Sequence, residues 1–326
     1  MTRFFANANY DFIGVRRYAY LLTALLIIPG LLFTLITGLN YSIEFTGGTM
    51  LQVKPNKTLN VGALRAELDR QGLHGAEIQS FGSANDYVIR ARVAKAGTDP
   101  NDTQAMSDLV SAALDKVVGQ GQYTVGRGAA VGPKVGGELR TKAFLAIFLS
   151  FFAVLAYLAY RFEWRFGVAA VVATAHDILA TIAFIGIMRL EVSLTVVAAV
   201  LSMVGYSLND TIIIFDRVRE NLVRMKNASF AEILNRSVNE TLPRSILTHG
   251  TTLGTLLALT IFGGEVIRPF ALVMFFGVFT GTFSSIYIAA PVLMYIETRW
   301  PGAHARGVRS PAPSGAPIPV TSARKA

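Results

Sequence analysis

Six long apolar runs dominate the sequence, at about 18–37, 143–160, 166–188, 192–215, 246–262 and 270–296. Each approaches the roughly 20 residues that a helix rising about 1.5 Å per residue needs to cross about 30 Å of hydrocarbon. A chain carrying such runs is expected to fold as an α-helical polytopic membrane protein with six transmembrane helices, and its 52% hydrophobic and 16% charged residues agree. The first run is too long for a signal-peptide core and no small-residue cleavage pattern follows it, so it reads as a span.

Basic residues in short loops set orientation. They gather at Arg3, Arg16 and Arg17, at Arg161 and Arg165, at Arg217, Arg219, Arg224, Lys226, Arg236 and Arg244, and in the tail at Arg299, Arg306, Arg309, Arg324 and Lys325. The opposite short loops hold only Arg189 and Arg268. The expected arrangement is a cytoplasmic N-terminus (1–17), a first span (18–37), an external domain (38–140), a five-helix bundle (141–296) and a cytoplasmic tail (297–326). The tail is rich in Pro, Ala, Gly and Ser and is expected to be disordered. The net charge of +9 follows the span ends instead of forming one patch, which argues against nucleic acid. With no cysteine and only four scattered histidines, neither a metal nor an organic cofactor is expected.

The external segment has a readable order. A strand over 41–53, broken by Gly47-Gly48, precedes a helix over 59–71 with Leu64 and Leu68 on one face. Strands at 77–81 and 87–92 flank a turn at 82–86; a helix over 102–118 and a strand at 122–125 complete a β-α-β-β-α-β, ferredoxin-like order. The glycine-rich 126–132 lacks a nucleotide-binding pattern and reads as a flexible hinge. On the cytoplasmic side, Ser229-Phe-Ala-Glu232 has capping-box spacing and precedes Ile233, Leu234, Val238 and Leu242, predicting an amphipathic helix over 229–242.

Polar residues inside the spans carry the functional signal. A charged Asp at the bilayer centre costs about 2.5 to 3.5 kcal/mol on insertion scales and usually faces a bundle interior. Ser202, Tyr206 and Asp210 recur at helical spacing with Asn209 adjoining; Thr174, Asp177 and Thr181 do so in the third span. In the fifth, Arg244, Thr248, Thr252 and Thr255 form a stripe beside His249, and Arg244 follows Pro243, which suits a first helical turn. Asp210 and Arg244, with Asn209, form the expected proton relay, with Asp177, Thr248 and Tyr206 as further members. Movement of Asp210 between a desolvated site and one facing Arg244 would bind and release a proton. Gly277, Gly281 and Ser285 read as a close helix-packing face.

Several motifs together resemble the SecF family of the resistance-nodulation-division superfamily, over 10–297. They are Tyr10-Asp11-Phe12 with Arg16-Arg17, Gly38-Leu39-Asn40, Glu44-Phe45-Thr46-Gly47-Gly48-Thr49, Val131-Gly132-Pro133 and His176-Asp177. Gly205-Tyr206-Ser207-Leu208-Asn209-Asp210-Thr211 and Asp216-Arg217-Val218-Arg219-Glu220-Asn221 complete the set. Glu44 stands where that family often has Asp, and keeps the charge. The resemblance implies a non-enzymatic subunit of the inner membrane that pairs with SecD, associates with the SecYEG channel and YajC, and uses the proton motive force to draw unfolded secretory polypeptides across the lipid bilayer. It also implies proton passage through Asp210 and Arg244.

Two other readings compete. A small-molecule or lipid exporter of the same superfamily would need its own complete transport route. An intramembrane aspartyl protease would use Asp177 and Asp210 as a dyad sharing a proton, but Ser-Leu-Asn-Asp210 lacks the GxGD context of those enzymes.

Overall fold

The computed structural model describes residues 8–73, 76–80, 85–91, 103–131 and 133–301. The first part of the turn expected at 82–86 and the tail from 302 onward lie outside the described residues, as do Arg3, Asp102 and Gly132.

In chain order the elements are α1 (Arg16–Thr37), β1 (Asn40–Tyr41), α2 (Ile43–Thr46), β2 (Gly48–Pro55), α3 (Val61–Arg70), β3 (Glu77–Ser80), β4 (Tyr87–Ala91), α4 (Thr103–Val117) and β5 (Tyr123–Val131). Then come α5 (Pro133–Arg161), α6 (Trp164–Ile187), β6 (Glu191–Val192), α7 (Leu194–Arg224), α8 (Phe230–Phe262), α9 (Gly264–Ser284), a π-helical turn (Ser285–Ala289) and α10 (Ala290–Arg299). Six helical segments among the described residues are long and apolar enough to cross a membrane: α1, α5, α6, α7, α8 and the continuous Ile267–Arg299.

The segment between α1 and α5 forms a four-stranded antiparallel sheet in the order β3-β4-β2-β5. Leu51, Val53 and Ile89 from the sheet meet Leu64 and Leu68 of α3 and Met106, Val110 and Leu114 of α4 in one dry core. Fully burying each such side chain from water contributes about 1.5 to 3 kcal/mol. Lys116 on α4 bonds Glu67 on α3 at 2.6 Å, tying the two helices together.

Three expectations are corrected. The strand expected over 41–53 is split: β1 pairs in parallel with the distant β6, and α2 intervenes before β2. Gly47 and Gly48 take φ of +73° and +143°, a region open to glycine, to make this bend. The expected hinge at 126–132 is instead largely strand. Its small residues allow close approach: a Cβ on Gly128 would lie 2.8 Å from Leu51, and the ladder shifts register between Leu51 and Val53. Finally, the amphipathic helix and fifth span are one helix, α8, with Pro243 in its interior. The capping box forms at Ser229 and Glu232 as expected. Packing of Ile233, Leu234, Val238 and Leu242 against Phe215 and Val218 of α7 offsets the interruption that proline makes in a helical ladder, about 3 kcal/mol.

Within the bundle, where lipid is as apolar as leucine, small residues at contacts set the packing. A Cβ on Gly277 would collide with Met203, and one on Gly281 would sit 2.7 Å from Ser207 Cβ, so α9 lies directly on α7. Gly186 of α6 meets Thr34 of α1 in the same way. The segment before α1 is clasped to α8: Asn239 and the Tyr10 backbone exchange hydrogen bonds of 2.9 Å, and Asn235 accepts from the Ile13 amide and donates to Asp11.

Candidate functional site

The two span acids lie on α6 and α7, and both are buried. Asp177 sits where α6, α7 and α9 converge. Ser207 and Ser284 donate to its Oδ2 at 2.5 and 2.8 Å, and His176 Nδ1 lies 3.0 Å from its Oδ1. A short hydroxyl bridge, Thr211 to Ser285 at 2.8 Å, continues the polar seam to the start of the π-helical turn. Such turns often mark sites where a helix is bent around function.

Asp210 is served differently. Ser245 of α8 donates to its Oδ1 at 2.6 Å, whereas its buried Oδ2 makes no hydrogen bond among the described residues. His249, one turn beyond Ser245, is also buried and leaves Nδ1 without a bond. Its ring meets Tyr206 edge to face at 5.4 Å, and Tyr206 in turn bonds Thr252 at 2.8 Å and the Thr248 carbonyl at 3.2 Å. Buried polar atoms without partners are uncommon and mark places of chemistry or exchange.

The structure therefore brings Asp210, Tyr206 and the Thr248 carbonyl to one α7–α8 seam but leaves other expected side chains outside it. Arg244, Asn209 and Thr248 are exposed, on neighbouring faces of α8 and α7 with Ser202, Gly205, Thr251 and Thr255. The contact expected between Arg244 and Asp210 is made by Ser245, because α8 turns the next residue inward. Ser207, Ser284, Ser245 and His249 were not singled out as partners in the sequence. Only the i, i+4 spacing of Ser245 and His249 carried a signal for the second pair. Asp177 and Asp210 are held by separate hydroxyls and share no hydrogen bond, which is not the arrangement of a protease dyad.

Comparison with known proteins places these residues in a family. Residues 110–299 match the model for the C-terminal part of the protein export membrane proteins SecD and SecF, and residues 33–58 match the SecD/SecF GG motif. That motif contains the glycine bend at Gly47 and Gly48. The protein translocase subunit SecF of Gemmatimonas aurantiaca is 53% identical over 95% of both chains, and that of Calditerrivibrio nitroreducens is 38% identical over 90% of this chain and 95% of its own. The crystal structure of SecDF from Thermus thermophilus, a translocon-associated membrane protein, superposes with a TM-score of 0.80 at 34% identity, and SecDF in its super-membrane-facing form with 0.67 at 35%. Each comparison covers 90% of this chain but 39% of the SecDF chain, so this protein corresponds to a part of those molecules. On the family models, the identity to curated relatives and the shared fold, the chain belongs to the SecF family of multi-pass inner-membrane proteins.

Proposed function

We propose that this chain is a Sec translocase subunit that pairs with SecD and couples the proton motive force to late movement of unfolded exported polypeptides through the SecYEG channel, with YajC as a further associate. In this reading it acts as a translocation accessory and not as an enzyme. Both termini are cytoplasmic, and the sheet between α1 and α5 is an external ferredoxin-like domain, consistent with its strand order and with the basic residues at the opposite ends of the spans.

The observation that carries the proton role is the half-satisfied state of Asp210: one carboxylate oxygen is fixed by Ser245 and the other is buried and free among the described residues. A carboxyl in that position can take a proton on its free oxygen without breaking its existing bond. Tyr206, Thr248 and Thr252 supply a line of hydroxyl and carbonyl groups away from it. The exposed polar strip of Asn209, Arg244 and Thr248 would be costly against hydrocarbon, and it suits cover by the SecD half. Closure of that half would bring Arg244 toward Asp210 and favour release of the proton. One proton crossing about 100 mV supplies roughly 2.3 kcal/mol, enough to bias a two-position element. No other coupling ion and no cofactor is invoked.

The test is translocation of a secretory protein into inverted membrane vesicles, with and without a proton gradient, at equal subunit abundance. Asp210→Asn should lose the gradient-dependent part alone. Wild-type behaviour of this variant would reduce Asp210 to packing between helices.

A further inference from the structure

The bundle has a second feature with no part in that seam. Near its sheet-bearing end, an apolar cavity of about 100 Å³ lies between α5, α6 and α7. Phe144, Ile147, Ile182 and Val197 line it together with Tyr41 and Arg140, which contribute only their apolar atoms to its wall. Arg140 is exposed, has no salt bridge among the described residues, and lies with its guanidinium 5.9 Å from the centre of the Tyr41 ring.

Depth assigns the two ends of this groove to different environments. Arg140 is roughly 21 residues from Arg161 at the other end of the same helix, about 31 Å at 1.5 Å per residue, close to the thickness of the hydrocarbon core. With Arg161 at one headgroup layer, Arg140 is therefore at the other, in the leaflet on the sheet side. Phe144 and Ile147 follow on the same helical face, carrying the groove about 10 Å into the acyl region. A planar guanidinium without a carboxylate partner is suited to bidentate contact with a phosphate. Stacking on Tyr41 holds it at the mouth.

We propose that this groove is a binding site for an anionic phospholipid, with the phosphate on Arg140 and the end of one acyl chain between α5, α6 and α7. Occupancy would wedge α5 at a fixed distance from its neighbours, next to the Gly47–Gly136 contact where the sheet domain joins the bundle. The site depends on the membrane placement of the spans and not on the proton role of Asp210.

The experiment uses nanodiscs holding the full chain with its SecD partner, and a phosphatidylglycerol probe carrying a photoactivatable diazirine near the end of one acyl chain. A phosphatidylcholine probe of the same chain serves as the second arm, and adducts are mapped by mass spectrometry. Phosphatidylglycerol adducts should concentrate on the peptides containing Phe144–Ile147 and Val196–Val200. Arg140→Gln should lower them about fivefold, toward the phosphatidylcholine level, while adducts on lipid-facing α1 stay constant. Val197→Trp should fill the groove and remove both. Equal adducts from the two probes in the wild type, or no enrichment over α1, overturn the proposal, and this wild-type comparison decides even if a variant fails to fold. Adducts seen only when SecD is omitted would assign the groove to a helix of that partner and equally overturn it.

Discussion

Asp177 and Asp210 have similar burial and different prospects. Asp177 accepts two serine hydroxyls on one oxygen and contacts His176 with the other, so its carboxylate ties α6, α7 and α9 together. Ser284→Ala should remove one of its bonds and lower thermal stability by about 1 kcal/mol, read as an earlier melting transition of the purified protein, with proton coupling retained. Ser245→Ala addresses the other acid. It removes the one hydrogen bond that Asp210 makes among the described residues, and should cost about 1 kcal/mol of stability, as Ser284→Ala does, while also shifting the pH midpoint of gradient-driven translocation; an unmoved midpoint would show that Ser245 does not tune the acid. The acids themselves were legible in the sequence, because a carboxylate in an apolar run must be accommodated somehow. Their serine partners were not: serine is common in membrane helices, and which one meets an acid depends on helix rotation and crossing, neither of which a stripe of residues specifies. The displacement of one position from Arg244 to Ser245 is a rotation of about 100° around α8, enough to set the serine against Asp210 and leave the cation on the surface.

At the scale of elements, two driving forces operate in one chain. The spans were legible because lipid demands a long apolar segment. The continuity of α8 through Pro243 was hidden because the local cost of proline points to a helix start, whereas packing over Ile233, Leu234, Val238 and Leu242 outweighs it. The strand content of 126–131 was hidden likewise, since glycine suggests a linker until its close neighbour Leu51 is known. In the sheet domain, the bond from Lys116, with those from Arg70 and Gln71, holds the Glu67 carboxyl below its ordinary value of 4.5. A depressed carboxyl stabilises the fold above its unfolded value, and that contribution fades as pH falls through the folded value. Protection of α3 and α4 against hydrogen exchange in the full chain, taken relative to the intrinsic exchange rate at each pH, should therefore fall below pH 4.5 in the wild type. Glu67→Gln should start with weaker protection and show less of this pH response; an identical response would remove Glu67 as its cause.

The whole molecule joins its two parts through short, sequence-distant contacts that carry no periodic signal. The two-residue strands β1 and β6 pair across 150 residues, the Leu194 amide at the start of α7 bonds Glu44 at 2.7 Å, and Arg189 bonds the Gly38 carbonyl at 2.8 Å. Arg90 on β4 adds an ion pair to Glu191 in β6, with only 20% and 14% of the two side chains exposed. Because β4 is central in the sheet, this pair fastens the domain's core to the turn between α6 and α7, the two helices that carry the acids. Removing one partner of a shielded pair leaves the other charge poorly compensated and loosens the contact more than loss of a surface pair would. Arg90→Ala should accordingly free the sheet domain to tilt on the bundle while the spans stay helical. Paired spin labels on α4 and on the β6 turn would show a broadened distance distribution in the variant. Glu191→Gln, which keeps the shape and one hydrogen bond to Arg90, should broaden it less. A distribution as narrow as the wild type's in Arg90→Ala would mean that β1–β6 pairing and the Glu44 cap hold the domain without the ion pair.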